Sequence, residues 1–253
     1  MSLTGKTIKT SYKDLLQVDN SNSGIDTTSR NVVDGEGTAS ALYLSDDVVS
    51  IKPNNDNTTG LFLVENKSGT DLFIVDSTNS LVKSLGHILN TQYKTFMTKQ
   101  LSAVANTWYP IEFDGGVIPN ISDTLGTGSA PATTFTATIS SINKYWYIHD
   151  NITIDAVKVF HMGDDSASTD SLSYSLNSFT VDTSGAGSGD LSAGTVNASS
   201  SSQTIDNADM DFHDLSIGTA NIDSGKIVLM CVRGGATINN DITCQVSVKY
   251  HLR

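Results

Sequence analysis

The chain has 253 residues and a formal net charge of -12, with only 17% of its residues charged. Such acidity disfavours direct nucleic-acid binding, which needs clustered Lys and Arg to neutralise phosphates; two cysteines exclude a disulfide framework. Ser and Thr fill about a quarter of the chain, while the residues of surface helices are scarce, so the composition points to a β-rich, loop-rich extracellular or particle-surface protein whose acidity serves solubility.

The chain opens with a locally basic stretch carrying Lys6, Lys9 and Lys13. Ser11-Tyr12-Lys13-Asp14 fits a capping box and predicts one or two turns of helix from Tyr12 to Gln17. So short a helix does not hold itself together. Tyr12, Leu15 and Leu16 must therefore dock, either on the chain's own next strands or on a partner, as an arm anchored in a larger particle. The opening lacks the continuous apolar run of a signal peptide. The longest apolar run, Ile227 to Val232, is too short to span a bilayer. The expectation is a soluble chain made in a cytoplasm, with no membrane partner.

Residues 20–60 are punctuated by turn formers, with short strand candidates at Arg30–Val33, Ala41–Leu44 and Val48–Ile51. Next come two apolar runs, Leu61-Phe62-Leu63-Val64 and Leu72-Phe73-Ile74-Val75, each followed by an acid and a polar turn. Alternation places Leu61 and Leu63 on one face and Phe62 and Val64 on the other. A strand apolar on both faces must be covered on both faces, and an isolated hairpin is marginal in water. The flanking segments are too polar to supply the cover, so another copy of the chain is the expected source. Residues 1–84 thus read as an anchor and an intertwined stalk of a homotrimer.

Residues 85–101 fit a helical stripe and a strand equally well and mark the join to a head spanning 85–253. In the head, strand candidates fall at Thr107–Phe113, Thr133–Ser141, Lys144–His149, Thr153–His161, Leu172–Val181, Asp211–Ile217, Lys226–Val232 and Ile242–Tyr250. Their number and loop lengths predict a jelly-roll-like β-sandwich, giving an all-β chain with an extended N-terminal region. In the last strand Ile242, Cys244, Val246, Val248 and Tyr250 point inward. Lys226–Val232 is apolar on both faces and belongs at the centre of a sheet or against a neighbouring subunit. Residues 182–204 are of low complexity and read as a mobile, exposed loop.

No constellation stands out for catalysis, cofactor or metal. Cys231 and Cys244 fall opposite each other if a hairpin turns near Thr237, yet two free buried thiols are preferred. His87, His149, His161, His213 and His251 show no metal-ligand spacing and read as satisfied structural groups. Asp206, Asp209 and Asp211 lack the Gly and Glu of a calcium loop, so a solvated acidic turn is the default. Tyr145-Trp146-Tyr147 and Trp108-Tyr109 are read as core, with sugar stacking the alternative. We expect a non-enzymatic protein.

The segments LTGKTIKTSYKDLLQVDNSNSGID, GTASALYLSDDVVSIKP and TTGLFLVENKSGTDLFIVDSTNSLV, with the ending ITCQVSVKYHLR, resemble short tail-fibre or virion-surface proteins of tailed, particularly marine, bacteriophages. The resemblance is densest over 4–82. It implies a homotrimer in the virion, fixed by its N-terminal part to other virion proteins, with a distal β-sandwich that contacts the host, for instance a surface glycan. A capsid decoration or head-fibre protein, and a carbohydrate-binding jelly-roll trimer outside a virion, are the alternatives.

Overall fold

The computed structural model describes residues 14–21, 23–99, 104–113, 123–138, 142–163, 170–185, 189–205, 209–235 and 242–253. Every regular element among them is a strand except one 3-10 turn at Ile142–Lys144, so the protein is all-β. The chain divides into two compact units, Met1–Leu89 and Asn90–Arg253.

The first unit holds two four-stranded antiparallel meanders. One runs β1 (Gln17–Val18), β2 (Arg30–Val33), β3 (Ala39–Leu44) and β4 (Val49–Ile51); the other runs β5 (Phe62–Glu65), β6 (Asp71–Asp76), β7 (Leu81–Ser84) and β8 (His87–Ile88). The helix expected over Tyr12–Gln17 does not form in its described part: Asp14 lies in a turn and Gln17 has joined β1. Strand pairing of Gln17 with Val33 satisfies more backbone groups than one unsupported helical turn can.

The two meanders use the same turn. Asp34 Oδ1 accepts the amides of Glu36 and Thr38 at 2.9 and 2.8 Å, and Asn66 Oδ1 accepts those of Ser68 and Thr70 at 3.0 and 2.9 Å. Three residues after each, Gly37 and Gly69 take φ of +86° and +80°, a region open to glycine at little cost. One short polar side chain and one glycine therefore set each hairpin.

The second unit is a two-sheet sandwich. Its strands are β9 (Thr91–Lys99), β10 (Trp108–Pro110), β11 (Trp146–Tyr147), β12 (Ile152–Gly163), β13 (Ser171–Val181), β14 (Leu191–Ser199), β15 (Gln203–Thr204), β16 (Asp211–Asp214), β17 (Ser216–Ile217), β18 (Asn221–Ile222), β19 (Lys226–Gly234) and β20 (Ile242–Leu252). One sheet is ordered β10-β19-β13-β14-β17, with β11 added on β19 and β15 on β13. The other is ordered β16-β12-β20-β9, with β18 added on β12. The ambiguous stretch before the sandwich is thus strand β9. Phe96, Val157, Val159, Leu176, Val228, Met230, Val246 and Val248 join both sheets in one buried cluster.

Strand β19 is central, flanked by β10 and β13. Its outer face packs in a second cluster with Leu125, Phe135 and Phe179. The segment 123–138 supplies that cover within the same chain. Trp108 and Leu125 exchange backbone hydrogen bonds with this segment and β10, and Lys144 Nζ meets the Asp123 carboxylate at 2.5 Å with both side chains buried.

Three expectations need correction. Residues 182–204 are not a mobile loop over their length, because Leu191–Ser199 is a full strand on β13 with Leu191, Asn197 and Ala198 buried. Its small residues are required there. A Cβ on Gly194 would lie 2.6 Å from the Phe179 ring and 2.9 Å from the Thr133 Cα. Thr133–Ser141 is not a strand in its described part: only Phe135 bridges, to Leu191. Finally, β19 and β20 do not form a hairpin. They enter different sheets, so Cys231 and Cys244 lie in different clusters as free, buried thiols.

Candidate assembly surface

The described residues of the first unit make almost no core. Among its described residues only two hydrophobic side chains are buried, Val32 and Val33. Against these stand six large exposed apolar side chains before residue 60 (Leu15, Leu16, Ile25, Val48, Val49, Ile51). Seven more follow: Phe62, Leu63, Val64, Leu72, Val82, Leu85 and Leu89.

The pairing register assigns these to faces. Phe62 lies opposite Val75, Val64 opposite Phe73, and Val75 opposite Val82. They form one apolar face, with Phe62 and Phe73 in edge-to-face contact at 6.2 Å. Leu63 lies opposite Ile74 on the other face. Every residue of β5 is exposed, at 40% for Phe62, 44% for Leu63 and 42% for Val64. Leu61, Phe73, Ile74 and Val75 are half-buried and Leu72 is exposed. Leu15 and Leu16 are exposed just before β1, while Tyr12 lies outside the described residues.

The sheet is held in register by a polar clamp. Asp76 is buried and accepts the Asn79 amide at 2.9 Å and the Asn79 side chain at 2.8 Å, with Lys83 Nζ at 3.6 Å. The hydrogen bonds from Asn79, aided by the Lys83 charge, hold its carboxyl below the usual carboxylate range. The clamp rigidifies the β6–β7 turn while leaving the apolar faces free.

The second unit carries a further apolar patch that alternation along a single strand does not reveal. Phe160 and Phe212 pack across β12 and β16 at 5.0 Å, beside exposed Met162 and Met210. Of the aromatic group, Trp108, Tyr109 and Trp146 are buried, while Tyr145 is half-buried and donates its hydroxyl to the Gly189 carbonyl. Tyr147 is exposed, stands edge-on to His149 at 4.8 Å, and lines an open groove with Gln92, Asp150 and Tyr250. Among the histidines, His251 is satisfied by Asp155 at 2.9 Å. His161 and His213 are brought together, with ring centroids 4.9 Å apart. Asp206 lies outside the described residues, so the DNADMD carboxylates are not assembled as a group within them. No helix among the described residues is long and apolar enough to cross a membrane.

No family model and no curated protein sequence matches the chain. Solved structures with some similarity include infectious bursal disease virus Gx strain, at 9% identity and TM-score 0.30 over 83% of this chain and 38% of that one. Turnip yellow mosaic virus follows at 10% identity and TM-score 0.24, over 64% and 92% of the two chains. An alpha-amino acid ester hydrolase has 8% identity and TM-score 0.27, over 63% and 32%. This chain therefore spans well under half of the bursal disease virus chain. At these values the likenesses assign neither family nor function.

Proposed function

We propose that this chain is a non-enzymatic structural protein of a virion, a fibre-like homotrimer whose first unit assembles and anchors and whose sandwich is displayed. One observation carries the reading: the first unit exposes apolar side chains on both faces of the β5–β8 sheet, and among its described residues Val32 and Val33 are the only buried hydrophobic side chains. Apolar area left in water on this scale marks an association surface. A partner on one side leaves the other face wet. In a closed ring of three, each sheet has a neighbour on either side, which meets the two-sided demand with one kind of subunit.

The sandwich has its own buried clusters and needs no such help. It suits display, and the groove beside Tyr147 is the place where a host glycan would stack. The resemblance of residues 4–82 to short tail-fibre and virion-surface proteins of tailed bacteriophages supports a particle setting, with tail or capsid proteins as the anchor's partners.

Light scattering on the purified chain tests the reading, alongside a version beginning at Asn90. A trimer that is lost on truncation is expected. A stable monomer at micromolar concentration overturns it. Antibody labelling of intact particles then separates a fibre, in few copies around the tail, from a capsid decoration, in many copies over the head. A trimer that labels no particle and binds glycan would instead be a carbohydrate-binding module.

A further inference from the structure

Strands β12 and β16 pair antiparallel, with His161 opposite Asp211 and Val159 opposite His213. The two-residue period of a strand puts Asp211 and His213 on one face. His161 lies directly across from the first and diagonal to the second. The three side chains offer two imidazole nitrogens and a carboxylate oxygen, all within 4.8 Å of one another.

The imidazoles are not satisfied in the usual way. His161 has a fully buried side chain, and its Nδ1 lies 2.9 Å from the Tyr174 hydroxyl. Its Nε2 is buried without a hydrogen-bond partner among the described residues, and so is the Nε2 of His213. Two buried imidazole nitrogens without a hydrogen-bond partner, on neighbouring rings, are costly unless something binds them. The nearest carboxylate oxygen, Asp211 Oδ2, is 3.5 Å from His161 Nε2. In a tetrahedral site with bonds of about 2.1 Å, ligand atoms lie about 3.4 Å apart. This pair already stands at that spacing, and the set of three, spread over at most 4.8 Å, would close around an ion by side-chain adjustment.

We propose that His161 Nε2, His213 Nε2 and the Asp211 carboxylate form a site for a divalent first-row transition ion, with zinc the expected occupant. Two imidazoles and one carboxylate are a donor set for such ions, whereas calcium and magnesium take oxygen ligands. Tyr174 would orient His161 from behind, as outer hydrogen bonds do for ligating histidines. Bound metal would staple the short edge strand β16 to β12 within the second unit. The inference does not depend on the virion reading.

The test is zinc titration of the chelator-treated full-length protein by calorimetry, with cobalt as a spectroscopic probe. One equivalent bound, visible absorption from tetrahedral cobalt and a raised melting temperature are expected. H213Q and D211N, at partly exposed positions, should keep the fold by circular dichroism and bind at least ~10-fold more weakly; Tyr174→Phe should weaken binding by about 10-fold through loss of orientation. Replacing exposed His87 should change nothing. Absence of saturable binding of zinc or cobalt at one equivalent overturns the proposal, as does unchanged binding in both H213Q and D211N.

Discussion

Replacing Phe62 with Asp should dissociate the assembly while leaving the sandwich folded. Phe62 is 40% exposed in the single chain. A phenylalanine presents ~200 Å², so about 80 Å² remains to be covered by a neighbour. At ~25 cal/mol per Å² that cover is worth about 2 kcal/mol per copy. Three copies in a trimer gain about 6 kcal/mol, or about a 10⁴-fold change in the assembly constant. An aspartate adds the cost of drying a charge, so the figure is a lower bound. Within the chain the loss is smaller, about 0.5–1.5 kcal/mol for the edge contact with Phe73. The assay is sedimentation velocity across a concentration series. Near-ultraviolet circular dichroism, dominated by the buried Trp108 and Trp146 of the sandwich, reports on the head. The L63D variant probes the opposite face in the same way. If F62D and L63D both sediment like the parent chain at every concentration, the two-sided cover does not come from copies of this protein.

Other outcomes follow from particular contacts. Lys144→Met removes the cation beside the buried Asp123 carboxylate, which keeps its hydrogen bond from Thr138, and should cost about 3–5 kcal/mol in urea unfolding, with much of that recovered when Asp123→Asn is added. Gly194→Val drives a side chain into the Phe179 ring and the Thr133 backbone, for a loss of about 1–3 kcal/mol or more by the same measurement. Burial pushes the Cys231 and Cys244 thiols up to about 12, so both stay protonated at pH 8 and should react with a disulfide reagent only after denaturant is added; rapid labelling of the native chain would contradict their burial. The Asp34 and Asp76 carboxyls are held below their ordinary value by hydrogen bonds, chiefly from Thr38 and Asn79. A depressed folded pKa means stability present above the unfolded value of about 3.9 and lost as pH falls through the folded one. The first unit should therefore lose stability below about pH 4, and D76N should flatten that dependence in an acid titration followed by circular dichroism.

How much was legible varies along the chain for a physical reason. The apolar runs at 61–64 and 72–75 announce their two-sided demand because strand faces are set by parity, a property of adjacent residues. The same local rule reads Ile242 to Val248 correctly as alternately buried and exposed. Tyr250, further along the same face, is half-buried and packs against the core beside Trp146, while His251 on the opposite face is buried through its contact with Asp155, opposite a register shift in β12 between Ile154 and Ala156. Parity also marks Lys226–Val232 as a strand covered on both sides. Whether a neighbour or the chain itself supplies the cover is a long-range matter, and here the segment 123–138 does so.

Where the reading failed, the missing information was distance in space. Leu191–Ser199 looks like linker because Ser, Ala, Gly and Thr carry little strand signal; only the Phe179 ring beneath Gly194 makes small residues the right ones. Cys231 and Cys244 sit at hairpin spacing, yet consecutive strands enter different sheets, which no local pattern encodes. Asp211 and His213 show the i, i+2 spacing of one strand face, a signal visible in the chain. His161 lies fifty residues upstream of Asp211, and only the β12–β16 pairing brings it to them. The sequence by itself determined the β character, the polar turns at Asp34 and Asn66 and the apolar runs that leave both faces of β5 apolar, because each rests on contacts within a few residues. Tertiary structure alone decided which strands share a sheet, what covers β19 and which histidines meet, because those contacts join residues that the chain keeps far apart.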